Sequence, residues 1–196
     1  MKTDKAALPI AGGTLLGHVL GRLAPRFDET ILSVSRAGRS RLGGSREALP
    51  PARIVEDGAP GLGPLAGILA GLEASRNETC FVVACDMPEA DFAFVRKLMR
   101  AAAPRGIEIA VPVTPAGHYE PLFAVYKKPA GPKIEVLLRA GERSVLPLFA
   151  ICRTVPVPMK NAVRLRNLNT RRDYEDYLHS LDRASSPVRA PARKNR

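Results

Sequence analysis

The sequence predicts an α/β domain built on a largely parallel sheet. Three observations carry that reading. Short apolar runs alternate with amphipathic stretches along most of the chain, the pattern of strand–helix repeats. Two acidic residues, Asp57 and Asp86, each follow an apolar, strand-like run, and a glycine-rich stretch lies between them. The 196 residues are enough for one domain with a substantial core, and 45% hydrophobic with 25% charged residues is ordinary for a globular protein.

Taken in order, residues 14–24 place Leu15, Leu16, Val19, Leu20 and Leu23 on one helical face. Thr30–Ser35 reads as a strand. Arg53-Ile54-Val55 is a second strand that ends at Glu56-Asp57. Residues 64–75 read as a helix entered from the glycine stretch, and residues 79–85 as a strongly apolar strand. Asp91 is placed to cap a helix over 91–103. Ile107–Val113 and Tyr119–Tyr126 are further strand candidates, and Lys133–Ala140 is a helix stopped by Gly141. Arg153–Val157 reads as a late strand, and Asn169-Thr170 as the cap of a last helix over 171–181. A doubly wound sheet usually opens with a strand feeding a phosphate-binding loop. Here the chain goes from MKTDKAALPIAGG straight to a helix, so the first strand is missing from the pattern. The domain is expected to span residues 1–182, followed by a disordered basic tail over 183–196.

Charge excludes little and suggests less than it promises. Of the net +11, five positive charges belong to residues 183–196, which contain no acidic residue, leaving +6 spread along the rest. No aromatic and basic residues interleave to make a base-stacking platform, so no specific nucleic acid is expected as partner. No apolar run approaches the ~20 residues that span a bilayer. The first residues carry no apolar signal stretch either, which predicts a cytoplasmic protein without membrane contact. Cys80, Cys85 and Cys152 match no zinc or disulfide spacing and read as small core residues in a reducing compartment. His18, His118 and His179 have no serine or cysteine partner at a telling spacing, so no nucleophilic triad is expected.

The chemistry concentrates in residues 54–88. Ligands of open α/β sheets sit outside the carboxyl ends of the strands, where Asp57 and Asp86 are placed. A carboxylate there is a hard oxygen ligand for Mg²⁺ shared with substrate phosphates, or else a turn residue. Gly61, Gly63 and Gly67 allow close backbone approach to a ligand at a helix start that favours negative charge. No Gly-Lys-Ser/Thr follows, so the loop is not a Walker A motif.

These residues resemble the molybdenum cofactor guanylyltransferases. Asp57, then Gly63-Pro64-Leu65-Ala66-Gly67, then Cys85-Asp86-Met87-Pro88 match that family's central motifs. Met1-Lys2-Thr3-Asp4-Lys5-Ala6 resembles the end of its opening signature, L-A-G-G-x-S-x-R-M-G-x-D-K. Glu120–Tyr126, Ala140–Arg143 and Asn167–Thr170 resemble its E-P-L-x-A-x-Y, A-G-E-R and N-I-N-T segments, in order along the chain. The resemblance implies a Rossmann-like three-layer sandwich of glycosyltransferase-A type, and transfer of GMP from GTP to the terminal phosphate of molybdopterin with release of pyrophosphate. It implies Asp86 on Mg²⁺ and GTP, Lys5 on the triphosphate, Asp57 on the base or ribose side, and Gly63 and Pro64 beside the nucleotide. Asp86 and Lys5 would be the catalytic pair. Glu120, Arg143 and Asn169 would fall toward the pterin. Cofactor-delivery proteins or apo-molybdoenzymes are the implied protein partners.

The chain departs from the family at its start. Lys2 stands where the family has glycine, the earlier part of the phosphate loop and its supporting strand have no counterpart, and Ser33 or Ser35 replaces an asparagine. The expectation is that Met1 is an internal methionine of the signature and that the natural protein starts upstream. A cytidylyltransferase or other nucleotidyltransferase of the same fold, and a non-catalytic binding module lacking the phosphate loop, are the competing expectations.

Overall fold

In a computed structural model, residues 5–10, 12–42, 49–58, 61–160 and 165–185 are described. After a 3₁₀ turn at Lys5–Ala7, a two-residue hairpin pairs β1 (Pro9–Ile10) with β2 (Gly13–Thr14). Helix α1 (Leu15–Leu23) starts at Thr14, whose hydroxyl accepts from the Gly17 amide. Its Leu15, Leu16, Val19, Leu20 and Leu23 are all buried, as the leucine stripe predicts. Strand β3 (Ile31–Val34) pairs in parallel with β4 (Arg53–Glu56), and the short helix α2 (Arg36–Leu42) follows β3. Helix α3 (Pro64–Ala74) leads to β5 (Thr79–Val83). Helix α4 (Phe92–Ala102) begins at Asp91, whose carboxylate accepts from the Ala93 and Phe94 amides.

The second half supplies β6 (Ile109–Val113), β7 (Phe123–Lys127), α5 (Gly131–Arg139), α6 (Leu146–Ile151), β8 (Thr154–Pro158) and α7 (Arg171–Ser185). These strands form a sheet in the order β5-β7-β6-β8. β8 is parallel to β6, but β7 is antiparallel to both its neighbours. β5, β6 and β8 thus run the same way and β7 alone opposes them, so the mostly parallel sheet expected from the sequence carries one reversed strand. The link from β6 to β7 carries no helix, and a strand can reverse across such a link but cannot cross over to a parallel partner.

Apolar residues on the two sheet faces make two cores. One gathers α1, α4 and α7 with Phe123, Val125 and Val157. The other gathers α3, α5 and α6 with Ile109, Val111, Ala124 and Tyr126. This is the three-layer α/β arrangement. The α6 segment was not anticipated: its Leu-Pro-Leu-Phe-Ala-Ile run has no side-chain cap and no amphipathic period. The last helix extends to Ser185, past the expected domain limit at 182. It starts with a capping box: the Thr170 hydroxyl accepts from the Asp173 amide, and the Asp173 carboxylate accepts from the Asn169 and Thr170 amides. From residue 186 on, the expected tail lies outside the described residues, as do Met1–Asp4 of the N-terminal motif. Among the described residues, no helix is long and apolar enough to cross a membrane.

The Glu29 carboxylate gathers three strand starts. It accepts from Arg53 of β4 at 2.9 Å and from the Arg76 amide just before β5 at 2.9 Å, and lies 3.4 Å from the Ser75 hydroxyl. Glu29 itself stands two residues before β3, so β3, β4 and β5 all begin at one edge. The Arg76 amide, then Arg53, hold this carboxyl below its usual range against the opposing effect of burial.

Two outcomes follow from these contacts. Asp91→Ala removes the α4 cap and should cost about 1 kcal/mol in urea unfolding with an unchanged m-value. Glu29→Ala should cost about 2 kcal/mol near neutral pH, the scale of hydrogen bonds to a charged group. Because the folded-state pKa of Glu29 is lowered, its stabilisation is complete above the unfolded value near 4.5 and is lost as pH falls through the folded value. The gap between native and variant stability should therefore be constant from pH 6 to 8 and narrow below about pH 4.5.

Candidate functional site

The carboxyl ends of β3, β4 and β5 carry the predicted residues. Asp86 follows β5 by three residues, and its carboxylate accepts from Lys5 Nζ at 2.7 Å. Lys5 Nζ also donates to Asn169 Oδ1 at 2.8 Å. The Asp86 backbone carbonyl accepts from the Leu168 amide at 2.9 Å, fixing the segment before α7 against the end of β5. The fold thus brings Lys5 and Asp86 together. Asn169 completes the cluster by a side-chain contact that a sequence read as a helix cap does not reveal. Both ion-pair side chains keep solvent access, at 28% and 20% exposure, so incoming phosphate oxygens can reach the ammonium.

Asp57 caps the end of β4 and donates its amide to Val34 O of β3. Burial raises its carboxyl above the usual range; its own amide pulls the other way, and the nearby Glu56 charge raises it further. The first turn of α3 stands beside it: a Cβ added to Gly67 would lie 3.9 Å from Asp57 Oδ2 and 3.5 Å from Ser33 Oγ. Ser33 Oγ is buried there without a hydrogen-bond partner. An unpartnered hydroxyl beside a half-buried carboxylate suits a ligand carrying both donors and acceptors. Asp57 does not join the Lys5–Asp86 cluster directly; β3 and a cavity lie between β4 and β5.

Gly63 and Pro64 occupy the start of α3. Gly63 has φ 72° and ψ −168°, a conformation essentially reserved for glycine. A Cβ there would sit 2.8 Å from the Arg143 carbonyl oxygen, so glycine is required twice over. No side chain caps α3, which leaves its first amides available to an anion. Arg143 is held over this loop because the Glu142 carboxylate accepts from the Arg143 and Ser144 amides. The Glu120 carboxyl is raised by burial, with the His118 charge opposing.

The remaining candidates are structural. His18 Nε2 and the Tyr177 hydroxyl lie 2.9 Å apart, and burial followed by the Arg22 charge lowers the imidazole pKa. None of the three cysteines forms a disulfide; burial pushes the Cys152 thiol up to about 11 and raises Cys80 as well, so neither of these two is a ready nucleophile. Among the described residues no group of three or more His, Cys, Asp or Glu side chains gathers to hold a metal. The Asp86 carboxylate and Asn169 Oδ1, both accepting from Lys5, are the oxygen atoms here that could serve a divalent cation.

The chain is similar to known proteins along most of its length. A family model described as "MobA-like NTP transferase domain" matches residues 1–154. A Burkholderia lata protein named molybdenum cofactor guanylyltransferase is 34% identical over 174 residues, covering 85% of this chain and 83% of its own. A Mycobacterium marinum protein named probable molybdenum cofactor guanylyltransferase is 30% identical over 180 residues, covering 88% and 84%. The structure of molybdopterin-guanine dinucleotide biosynthesis protein A from Archaeoglobus fulgidus superposes with a TM-score of 0.78 at 24% identity, covering 93% and 92% of the two chains. A 2-C-methyl-D-erythritol 4-phosphate cytidylyltransferase from Thermus thermophilus superposes with a TM-score of 0.66 at 19% identity, covering 91% and 94%. At these identities the two structures establish the shared fold.

The α3 entrance gives a direct check. Gly63→Ala should cost about 1–3 kcal/mol from backbone strain, with a further loss from displacing the Arg143 carbonyl. Gly61→Ala, at φ 85° with nothing within 4 Å of the added Cβ, should show the strain alone. Chemical denaturation of both variants measures the difference; equal losses would mean that the Arg143 contact carries no weight.

Proposed function

The chain belongs to the MobA-like NTP transferase family, and we propose that it transfers GMP from GTP to the terminal phosphate of molybdopterin, releasing pyrophosphate. The observation that carries the chemistry is the convergence of Lys5, Asp86 and Asn169 at the carboxyl end of β5. The names of the curated relatives support the choice of guanine nucleotide and pterin acceptor.

In this reading an oxygen of the pterin phosphate attacks the α-phosphorus of GTP in line. A new P–O bond forms while the bond to the β-phosphate bridge breaks, and the bridging oxygen leaves with its electron pair as pyrophosphate. No protein nucleophile is required. Lys5 neutralises charge that builds on the phosphate oxygens, which is where electrostatic catalysis of such a transfer lies. The uncapped amides at the start of α3 receive an anionic oxygen, and Gly63 permits its close approach. Asp57 and Ser33 are placed to accept and donate toward the nucleoside. Asp86 and Asn169 would hold Mg²⁺, whose contribution when bound is to screen the triphosphate charge. Cofactor-delivery proteins and apo-molybdoenzymes would receive the product, and the cytoplasm would be the site of action.

Pyrophosphate release from GTP in the presence of molybdopterin and Mg²⁺ tests the reading, with CTP run in parallel. Transfer is expected from GTP and not from CTP. Asp86→Asn and Lys5→Met should each lower kcat by roughly 10²-fold or more, the scale of losing one charge-stabilising group. Preference for CTP, absence of transfer from either nucleotide, or full activity of the variants would overturn it.

A further inference from the structure

Among the described residues, the large apolar side chains that face solvent gather in one stretch of the chain. Tyr119, Val136, Leu146 and Ile151 are exposed by 40%, 61%, 54% and 47%. Two of them belong to α6, whose six residues, Leu-Pro-Leu-Phe-Ala-Ile, include no polar side chain. A helix turns about 100° per residue, which sorts these six by direction. Leu148 faces the core beneath α5 and α6 and is fully buried. Leu146, Pro147, Ala150 and Ile151 fall together on the outer arc, as neighbours three or four residues apart, and each is exposed or half-buried. Phe149 stands at the edge of that arc. Its ring lies 5.1 Å from the Tyr119 ring, which carries the apolar surface onto the link between β6 and β7. Single exposed apolar residues are ordinary, but a surface helix with no polar side chain at all is a contact face.

The charge around α6 is one-sided. Residues 143–153 include Arg143 and Arg153 and no acidic residue. The nearby carboxylates are engaged elsewhere. Glu135 pairs with Arg139, Glu142 accepts from two backbone amides, and Glu108 accepts from Lys133 and the Arg153 amide. Among the described residues the Arg143 guanidinium has no ion-pair partner. We propose that this face docks another protein, through a segment whose apolar side chains are bordered on both sides by aspartate or glutamate. The apolar part covers Tyr119 and the outer arc of α6, and the carboxylates meet Arg143 and Arg153, which bracket the helix. A second copy of this chain suits the face less well. Each copy carries +11, and a two-fold contact would set the same arginines against one another. A membrane surface suits it less well too. Interfacial helices oppose a long apolar face to a charged one, whereas α6 spans only about 9 Å and has no polar face. The docking face adjoins the candidate site, because the Arg143 carbonyl, 2.8 Å from a Cβ added to Gly63, stands three residues before α6. A docked partner therefore borders the α3 entrance, where it can hand over or take up a phosphorylated small molecule. That last consequence rests on the proposed reaction; the surface itself does not.

Site-specific crosslinking in the protein's own cells tests the surface without a transfer assay. The full chain carries the photo-reactive probe p-benzoylphenylalanine in place of Leu146, with the same probe in place of the exposed Arg96 of α4 as control. After irradiation, mass spectrometry reads the sequence of the peptide joined to the probe. The expected result is a peptide of another protein in which apolar residues are flanked by aspartate or glutamate, joined at position 146 and not at 96. Adding Ile151→Ser should lower the yield roughly tenfold, the scale of losing one interface anchor, while the thermal unfolding of the isolated variant stays close to that of the parent because the side chain is exposed. Joining to a second copy of this chain, joining to lipid, a joined peptide without flanking carboxylates, a yield at 146 no higher than at 96, or a yield unaffected by Ile151→Ser would each overturn the proposal. Failure of guanylyl transfer with the expected crosslink intact would overturn the reaction and leave the surface standing.

Discussion

The Glu29 carboxylate fixes the geometry on which the site depends. By binding Arg53 and the Arg76 amide it gathers the starts of β3, β4 and β5 at one edge. Strands that begin together and run the same way must end together, and their carboxyl ends deliver Ser33, Asp57 and Asp86 to one rim. The ion pairs involved are partly exposed on the arginine side, at 47% and 79%, so their Coulombic contribution is modest. The bond to the Arg76 amide has another effect: it spans the break in the sheet and sets the distance between two strands that no ladder joins.

Around that rim the chain places complementary polar groups on a rigid frame. α3 contributes uncapped amides because Gly63 and Pro64 start it without a polar side chain. Ser33 and Asp57 stand beside the same turn, with one hydroxyl unpartnered and one carboxyl raised by burial. Lys5 stands at the β5 side of the cavity, held between the Asp86 carboxylate and the Asn169 side chain. This division into an amide-rich side and a cationic side fits a polyphosphate, whose charge is distributed over several oxygens.

Much of this was legible in the sequence because it is local. The leucine stripe of α1, the Asp91 cap and the glycine-only entrance to α3 are each written within a few residues. Placing Asp57 and Asp86 at strand ends needed only the apolar runs before them. What escaped was long-range or lacked a period. Pattern puts Asn169 in a helix cap and resemblance puts it toward the pterin, but its contact with Lys5 spans 164 residues and shows in neither. Glu29 sits in a polar stretch before β3 with nothing local to mark it. β7 reversed direction because its connection lacks a helix, and α6 is too short and too uniformly apolar to show a helical face.

The Lys5–Asn169 contact also sets a schedule for biosynthesis. A ribosome adding about 5–20 residues per second needs roughly 8–30 s to travel from Lys5 to Asn169. The strand ends and the α3 entrance can be in place before then, but the ammonium has only half its partners until the last helix emerges. A chain released early, or stalled before its final thirty residues or so, would hold a folded scaffold with its cationic side unanchored. Synthesis itself thus keeps the cationic side from being complete until its final segment is made.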